Sequence, residues 1–385
     1  MSIQVLLTAD NHLDPPAMMF GPRRYERKMD FLKCFEAVVN YALENRPDLF
    51  LIAGDLFDHM QPRNPTRAQA MNYFRTLHEK GIKVFLISGH HDTPKSMEQG
   101  SSPISVYNNS KYVTYFQDAY QPTQTTLKFD RQEVVISGIS YNPTLTWGMD
   151  PLERIKLTKS GDINIFMLHY PIEGFKGYGA GLEPTVRPRS IPEGLQLVAA
   201  GHLHQHQRSK IKGTEVIYPG STEHVRFSEE GEDKGFVWID LNKKGVSSTD
   251  FIETPARELR TVDLNLPKKG NITVFLKGEL SKLQDPELVL RIKLVGNVDV
   301  KQLTTYRRSD ILSFAHNKFF ALIPNEKEIN IKTVGLIEPL PRTTPLQEIR
   351  RYFHQRIEKA EKEEEQLLLE ALKLCEKRLE EAGSW

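Results

Sequence analysis

Leu51-Ile52-Ala53-Gly54-Asp55-Leu56-Phe57-Asp58 and Val84-Phe85-Leu86-Ile87-Ser88-Gly89-His90-His91-Asp92 decide how this chain folds. Each is an apolar run that stops at glycine and releases a polar cluster. A strand buried on both faces of a parallel sheet reads as such a run, and chemistry in open α/β sheets collects beyond the strands' carboxyl ends. The pattern recurs outward from there. Ile3 to Leu7 ends in Asp10-Asn11-His12, Ile163 to Leu168 ends at His169, and Leu197 to Ala200 ends at Gly201-His202-Leu203-His204. Phe31, Phe35, Val38, Val39 and Ala42 keep helical spacing and predict a helix over 28–45; a second is expected over 65–80. Strands alternating with helices imply right-handed βαβ crossovers.

Val113 to Ser140 reads as shorter strands, Pro151 to Leu157 as a short helix, and Gln207 to Ile211, Val216 to Tyr218 and Phe236 to Leu241 as further strands. The fold class expected is α/β, with two sheets packed face to face and flanked by helices. At 385 residues the chain should hold more than one domain, and its net charge of +1 confines any nucleic-acid binding to local patches. The two cysteines, Cys34 and Cys375, lie far apart in helical patterns, which excludes a disulfide framework and fits a reducing cytoplasm. Met1 to Asp10 lacks a signal layout, and no apolar run approaches about 18 residues, so a soluble intracellular protein is expected.

The strand ends together present Asp10, His12, Asp55, His90, His91, His169, His202 and His204. A single histidine at a strand end is ordinarily structural. A full set, each after an apolar strand and a small residue, is a ligand set for divalent ions such as manganese, iron or zinc. His202 and His204, two apart on an extended chain, should point the same way. The count exceeds what one ion takes. Two ions sharing a carboxylate, roughly 3.5–4 Å apart, activate a bridging water and stabilise an in-line phosphoryl displacement. Phosphoester hydrolysis is therefore expected, and no nucleophile elbow, P-loop or dinucleotide glycine pattern competes.

These motifs resemble the calcineurin-like metallophosphoesterase signature. More narrowly they are similar to the SbcD (Mre-type) nucleases of double-strand break repair. Gly54-Asp55-Leu56-Phe57-Asp58, His169-Tyr170-Pro171-Ile172-Glu173-Gly174 and Tyr218-Pro219-Gly220-Ser221-Thr222-Glu223 carry that likeness, strong over about residues 1–255. It implies two divalent ions, manganese as a rule. One would be held by Asp10, His12, Asp55 and His204, the other by Asp55, His90, His169 and His202, with Asp55 shared. It implies that His91 sits over the scissile phosphate and protonates the leaving oxygen, and that Asp92 orients the His91 ring. The chain departs from the family at His90, where asparagine is usual. An imidazole there is longer and wider than the amide; it is expected still to face the metals. His59, His78, His206 and His224 read as surface or supporting groups.

Residues 1–254 would form the nuclease domain, 255–340 a small α+β capping domain that orients DNA, and 341–385 a helical segment. In the second, Ile272 to Leu276, Leu288 to Leu294 and Phe319 to Ile323 read as strands and Val300 to Tyr306 as a helix. Phosphate contacts are expected from Arg23, Arg24 and Arg63, and from Lys268, Lys269, Arg307 and Arg308; Arg27, Lys28 and Lys301 are further candidates. Beyond Pro345, Leu346, Ile349, Phe353 and Ile357 and then Leu368, Leu372, Cys375 and Leu379 form an apolar seam that wants a groove. The resemblance points to the coiled-coil base of an SbcC-type ATPase. It also implies 3′-to-5′ exonuclease action on duplex ends, endonuclease action on single strands and hairpins, and a homodimer through helices near 62–80 and 95–110. A nucleoid-associated cytoplasmic location follows if the source is prokaryotic. The alternatives are a DNA-end tether whose site His90 impairs, and a small-molecule phosphodiesterase.

Overall fold

The computed structural model describes residues 2–130, 132–177, 183–332, 345–358, 360 and 362–381. In chain order, β1 (Ile3–Thr8), α1 (Arg24–Asn45), β2 (Leu49–Ala53), α2 (Asn64–Glu79), β3 (Lys83–Ile87), α3 (Ser105–Asn109) and β4 (Thr114–Tyr115) build the first layer. Next come β5 (Thr123–Phe129), β6 (Gln132–Gly138), β7 (Ile163–His169), β8 (Leu197–Gly201), β9 (Gln207–Ile211) and β10 (Thr214–Tyr218), followed by β11 (Gly235–Asn242) and β12 (Gly245–Glu253). Among the described residues these strands form two six-stranded sheets, ordered β12-β11-β1-β2-β3-β4 and β5-β6-β7-β8-β10-β9. β1, β2, β3 and β4 pair in parallel, as do β6, β7, β8 and β10. β1, β2 and β3 are thus parallel neighbours joined through α1 and α2, as βαβ units.

Packing explains the continuous apolar runs. The inner faces of both sheets interleave Val5, Leu7, Leu51, Phe85 and Ile87 with Val134, Ile136, Ile165, Met167 and Ala199. The outer face of the first sheet buries Phe50, Ile52 and Leu86 against Phe35, Val38, Phe74 and Leu77 of α1 and α2. Every residue of β2 is fully buried. A side chain such as Phe50 contributes about 1.5–3 kcal/mol by leaving water. Only apolar residues on both faces make that possible.

A smaller sheet follows. It contains β13 (Leu259–Asn265), α4 (Ile272–Lys282), β14 (Asp285–Asp299), α5 (Val300–Leu303), α6 (Arg308–Ala315) and β15 (Phe319–Lys332), with strand order β13-β14-β15. Ile272 to Leu276 is helix, not strand. The Asn271 side chain accepts from Val274 N at 3.0 Å, and Ile272, Leu276 and Leu280 line up on one buried face. That stripe runs past the short β-branched stretch and overrides it. The helix expected over 300–306 stops at Leu303, and α6 was not anticipated. Residues 151–154 form turns and 155–157 have no regular structure, so the expected helix does not form. Asp150 accepts from Leu152 N, Arg187 N and Ser190 Oγ, which binds the segment to 187–190 instead of letting it propagate.

By internal contacts the chain divides into two units, Met1–Gly296 with Thr305–Ile329, and Asn297–Thr304 with Asn330–Trp385. The first holds both large sheets and most of the third. In the second, α7 (Pro345–Ile357) packs on α8 (Lys362–Glu381), and Arg350 Nε donates to Glu376 Oε1 at 2.7 Å. The boundary expected at 340 lies outside the described residues. The apolar seam is half-buried within this helix pair, while Tyr352, Leu367 and Leu374 remain exposed.

Candidate metal centre

The parallel strands of both sheets deliver their carboxyl ends to one place. β1 leads to Asp10 and His12, β2 to Asp55, β3 to His90 and His91, β7 ends on His169, and β8 leads to His202 and His204. The chain turns sharply there. Asp10, His12, Asp55 and His202 all take the left-handed region, at φ of 50°, 44°, 49° and 99°. Such conformations cost a non-glycine residue about 1–3 kcal/mol each and persist only where the surroundings enforce them. Here Asp10 N donates to Gly54 O and His12 N to Asp55 O, both at 3.1 Å, while Asp10 carboxylate oxygens accept from His202 N at 3.0 and 3.2 Å. Gly89 is needed for space: a Cβ would run into Asp55 Oδ1 and His169 Nε2.

The side chains assemble in two overlapping groups. Ligand atoms of Asp10, His12 and His204 lie within 4.8 Å of one another, as do those of His90, His169 and His202. Asp55 stands between them. Its Oδ2 is 3.1 Å from His90 Nδ1, 3.2 Å from His169 Nε2 and 4.0 Å from His12 Nε2. The His90 ring thus lies beside Asp55 in the cluster. His202 and His204 both enter the cluster but join different groups, because the chain turns at His202 and is not extended there.

The protonation pattern calls for a cation. His12 Nδ1 lies 3.1 Å from Asp58 Oδ1, and His204 Nδ1 lies 2.8 Å from Glu229 Oε1. Carboxylates only accept, so each Nδ1 carries a proton, and of two Nε2 atoms placed face to face at least one must offer a lone pair. Those two Nε2 atoms face each other at 3.1 Å. His169 Nδ1–H donates to Ala53 O at 2.8 Å, and its Nε2 lies 3.2 Å from the buried Asp55 Oδ2. Asp55 Oδ2 and His202 Nδ1 are both buried without a well-directed hydrogen bond. Unpaired polar atoms converging on one buried point are the expected trace of a positive ion. The residues present fit a pair of divalent metals.

Charges around the cluster respond accordingly. Burial works to raise the Asp55 carboxyl, but His169 and His90 outweigh it and hold it well below the usual range. Burial works to depress His169, but Asp55 and Asp10 lift it to about 9. Glu229 is held near about 2, burial opposing, by His204 and Lys234. Burial, with His12 and His90 adding to it against Asp55, pushes His91 down to about 4. The His91 ring is fixed by Nδ1–H donating to Asp58 O at 2.6 Å. Asp92 does not orient it, contrary to expectation. Its oxygens accept from Gly89 N at 2.8 Å, Leu56 N at 2.9 Å and Phe57 N at 3.3 Å, because the loops after β2 and β3 bring three amides to it.

Three acids went unnoticed in the sequence. Asp58 and Glu229 orient His12 and His204, and Glu183 Oε2 lies 2.9 Å from His202 Nε2. Asp58 closes the motif stretch 54–58, and Glu229 follows six residues after the stretch that ends at Glu223; Glu183 carried no signal. The basic residues are dispersed. Arg63 is held by Asp14 at 2.9 Å, Lys28 by Asp14 at 2.8 Å, and Arg27 lies buried on Glu223, Asp30 and His224 O. Arg308 is paired with Glu326 and Arg23 with Glu26. Arg24, Lys268, Lys269, Lys301 and Arg307 are exposed. His59, His78, His206 and His224 make supporting contacts with Asp14 O, Tyr112, Phe251 and Arg257 O.

The family model described as calcineurin-like phosphoesterase matches residues 3–206. The DNA double-strand break repair protein Mre11 of Methanopyrus kandleri is 26% identical over 67% of this chain, which spans 58% of that relative's length. The protein of that name from Methanococcus maripaludis is 27% identical over 85% of this chain and 88% of its own. That of Thermoplasma acidophilum is 30% identical over 59% of this chain and 57% of its own.

Proposed function

Because the chain belongs to the calcineurin-like phosphoesterase family, we propose that it hydrolyses DNA phosphodiesters as a two-metal, manganese-dependent nuclease of double-strand break repair. One observation carries the chemistry: the Nε2 atoms of His12 and His204 face each other 3.1 Å apart beside a shared buried carboxylate. The printed names of the relatives support DNA as the substrate. Asp10, His12, Asp55 and His204 would hold one ion, and Asp55, His90, His169 and His202 the other. Bound there, the ions supply Lewis-acid charge and a deprotonated water at neutral pH.

The chain's own residues do the rest. Asp58 and Glu229 set the tautomers of His12 and His204. His91, its ring fixed by Asp58 O, presents its free nitrogen to the leaving 3′ oxygen and delivers the proton there. The negative phosphodiester raises the proton affinity that burial has lowered. Exonuclease action on duplex ends and endonuclease action on hairpins and single strands belong to the same reading, as does a homodimer holding two ends through the segments near 62–80 and 95–110. Exposed Tyr352, Leu367 and Leu374 suit an SbcC-type ATPase partner, and Arg24, Lys268, Lys269 and Arg307 suit DNA phosphates. No described helix is long and apolar enough to cross a membrane, which is compatible with work at the nucleoid.

The test is cleavage of end-labelled duplex and hairpin DNA with manganese, magnesium or a chelator, beside His90→Asn and His91→Ala. Manganese-dependent cleavage lost in His91→Ala supports the reading. No DNA cleavage alongside hydrolysis of bis-p-nitrophenyl phosphate would replace it with a small-molecule phosphodiesterase. Activity found only after His90→Asn would make the natural chain a tether.

A further inference from the structure

Two cavities flank the metal cluster, and Arg226 lines both. One, of about 370 Å³, borders His90, His202 and His204. The other, of about 580 Å³, opens at Asp58 and His91 and reaches Leu259 of β13 and Arg291 of β14. Phosphate and metal chemistry does not use this second space. Its walls are aromatic and the rings are pinned. The Arg27 guanidinium lies 5.6 Å from the Phe20 ring and 4.8 Å from Phe31, and that of Arg291 lies 4.2 Å from Phe227. Arg226 is exposed. Aromatic walls, flanking guanidinium planes and a mouth at the catalytic histidine suit a flat heteroaromatic group joined to a phosphate.

We propose that this cavity is a base-binding subsite, which takes the unpaired base of the nucleoside whose 3′ oxygen leaves. The inference rests on the nuclease reading above and deepens it. His91 assigns the side: it meets the leaving oxygen and also lines the cavity, so the base attached on that side has the shortest path in. Arg226, shared by both cavities, lies along the backbone between them as a phosphate-positioning residue. A base stacked in a duplex cannot enter, so the substrate must offer an opened end or a hairpin loop. Stacking on side chains is tolerant of base identity, so little sequence preference follows.

The experiment uses the full chain with manganese and a hairpin whose cleavage position has been mapped. A single abasic residue is placed at the nucleotide that carries the leaving oxygen. KM should rise about tenfold, roughly 1.4 kcal/mol, with kcat little changed. The difference between base-bearing and abasic substrate should vanish in Phe227→Ala. Should that variant misfold, Met18→Ala with Met19→Ala serves, since both line the cavity and are 70% and 65% exposed. Efficient cleavage with equal KM for both substrates overturns the subsite and leaves the nuclease reading standing. Absence of any DNA cleavage overturns the nuclease reading itself.

Discussion

Replacing Asp92 should unfold the protein before it disarms it. Its carboxylate is fully buried and accepts from the amides of Gly89, Leu56 and Phe57. Asp92→Ala leaves three buried N–H groups without a partner, at about 1–2 kcal/mol each. The sum, roughly 3–6 kcal/mol, is a large part of the 5–15 kcal/mol that holds a typical domain together. Asp92→Asn keeps one acceptor for Leu56 and Phe57 but turns an NH2 toward Gly89 N–H, and should cost about 1–3 kcal/mol. The assay is urea unfolding with a chelator present, so that lost metal binding cannot account for the change. His91→Ala, whose ring is half-exposed, should stay within about 1 kcal/mol of the parent. If Asp92→Ala keeps the parent's stability and loses cleavage as His91→Ala does, its role is to orient catalysis and the structural argument fails.

Other outcomes follow from neighbouring contacts. Glu229→Gln loses the anionic partner of His204 Nδ1 and should weaken manganese binding by about 10–100-fold in calorimetry; unchanged affinity would remove Glu229 from the site. Gly89→Ala should keep its circular dichroism spectrum yet lose the thermal shift caused by manganese, because the new methyl displaces Asp55 and His169. Cys34 is buried, and burial together with Glu223 pushes its thiol far up. Native alkylation should therefore label Cys375 and spare Cys34 until denaturant is added; comparable labelling of both would contradict the packing of α1. Deleting 345–385 should leave hydrolysis of a small diester intact while abolishing co-purification with the proposed SbcC-type partner; loss of both would give the segment a structural role.

What the sequence disclosed depended on how each residue acts. β2 was legible because all of its residues are buried, so no polar position interrupts the run. The histidines and Asp55 were legible because each follows such a run. Glu183 belongs to a loop with no period of its own, and it acquires meaning only when β8 places His202 beside it. The role of Asp92 was misjudged because a resemblance transmits residue identity, whereas hydrogen-bond partners depend on where two separate loops meet. Helix α4 was misjudged because five residues, Ile272 to Leu276, carry a strand's composition while the burial stripe needs eleven to show itself.

The ligand-bearing turns are divided between the sheets: Asp10, His12, Asp55 and His90 follow strands of the first, and His169, His202 and His204 come from the second. Neither half can arm itself. During synthesis the first four residues emerge early, but they remain an inert half-site until the second sheet has been made and docked. β1 then gains its neighbour β11 only when Gly235–Asn242 has left the ribosome. On the proposed nuclease reading, a nascent chain of this design stays harmless to the nucleic acid around it, and the order of the histidines along the chain works as its safety catch.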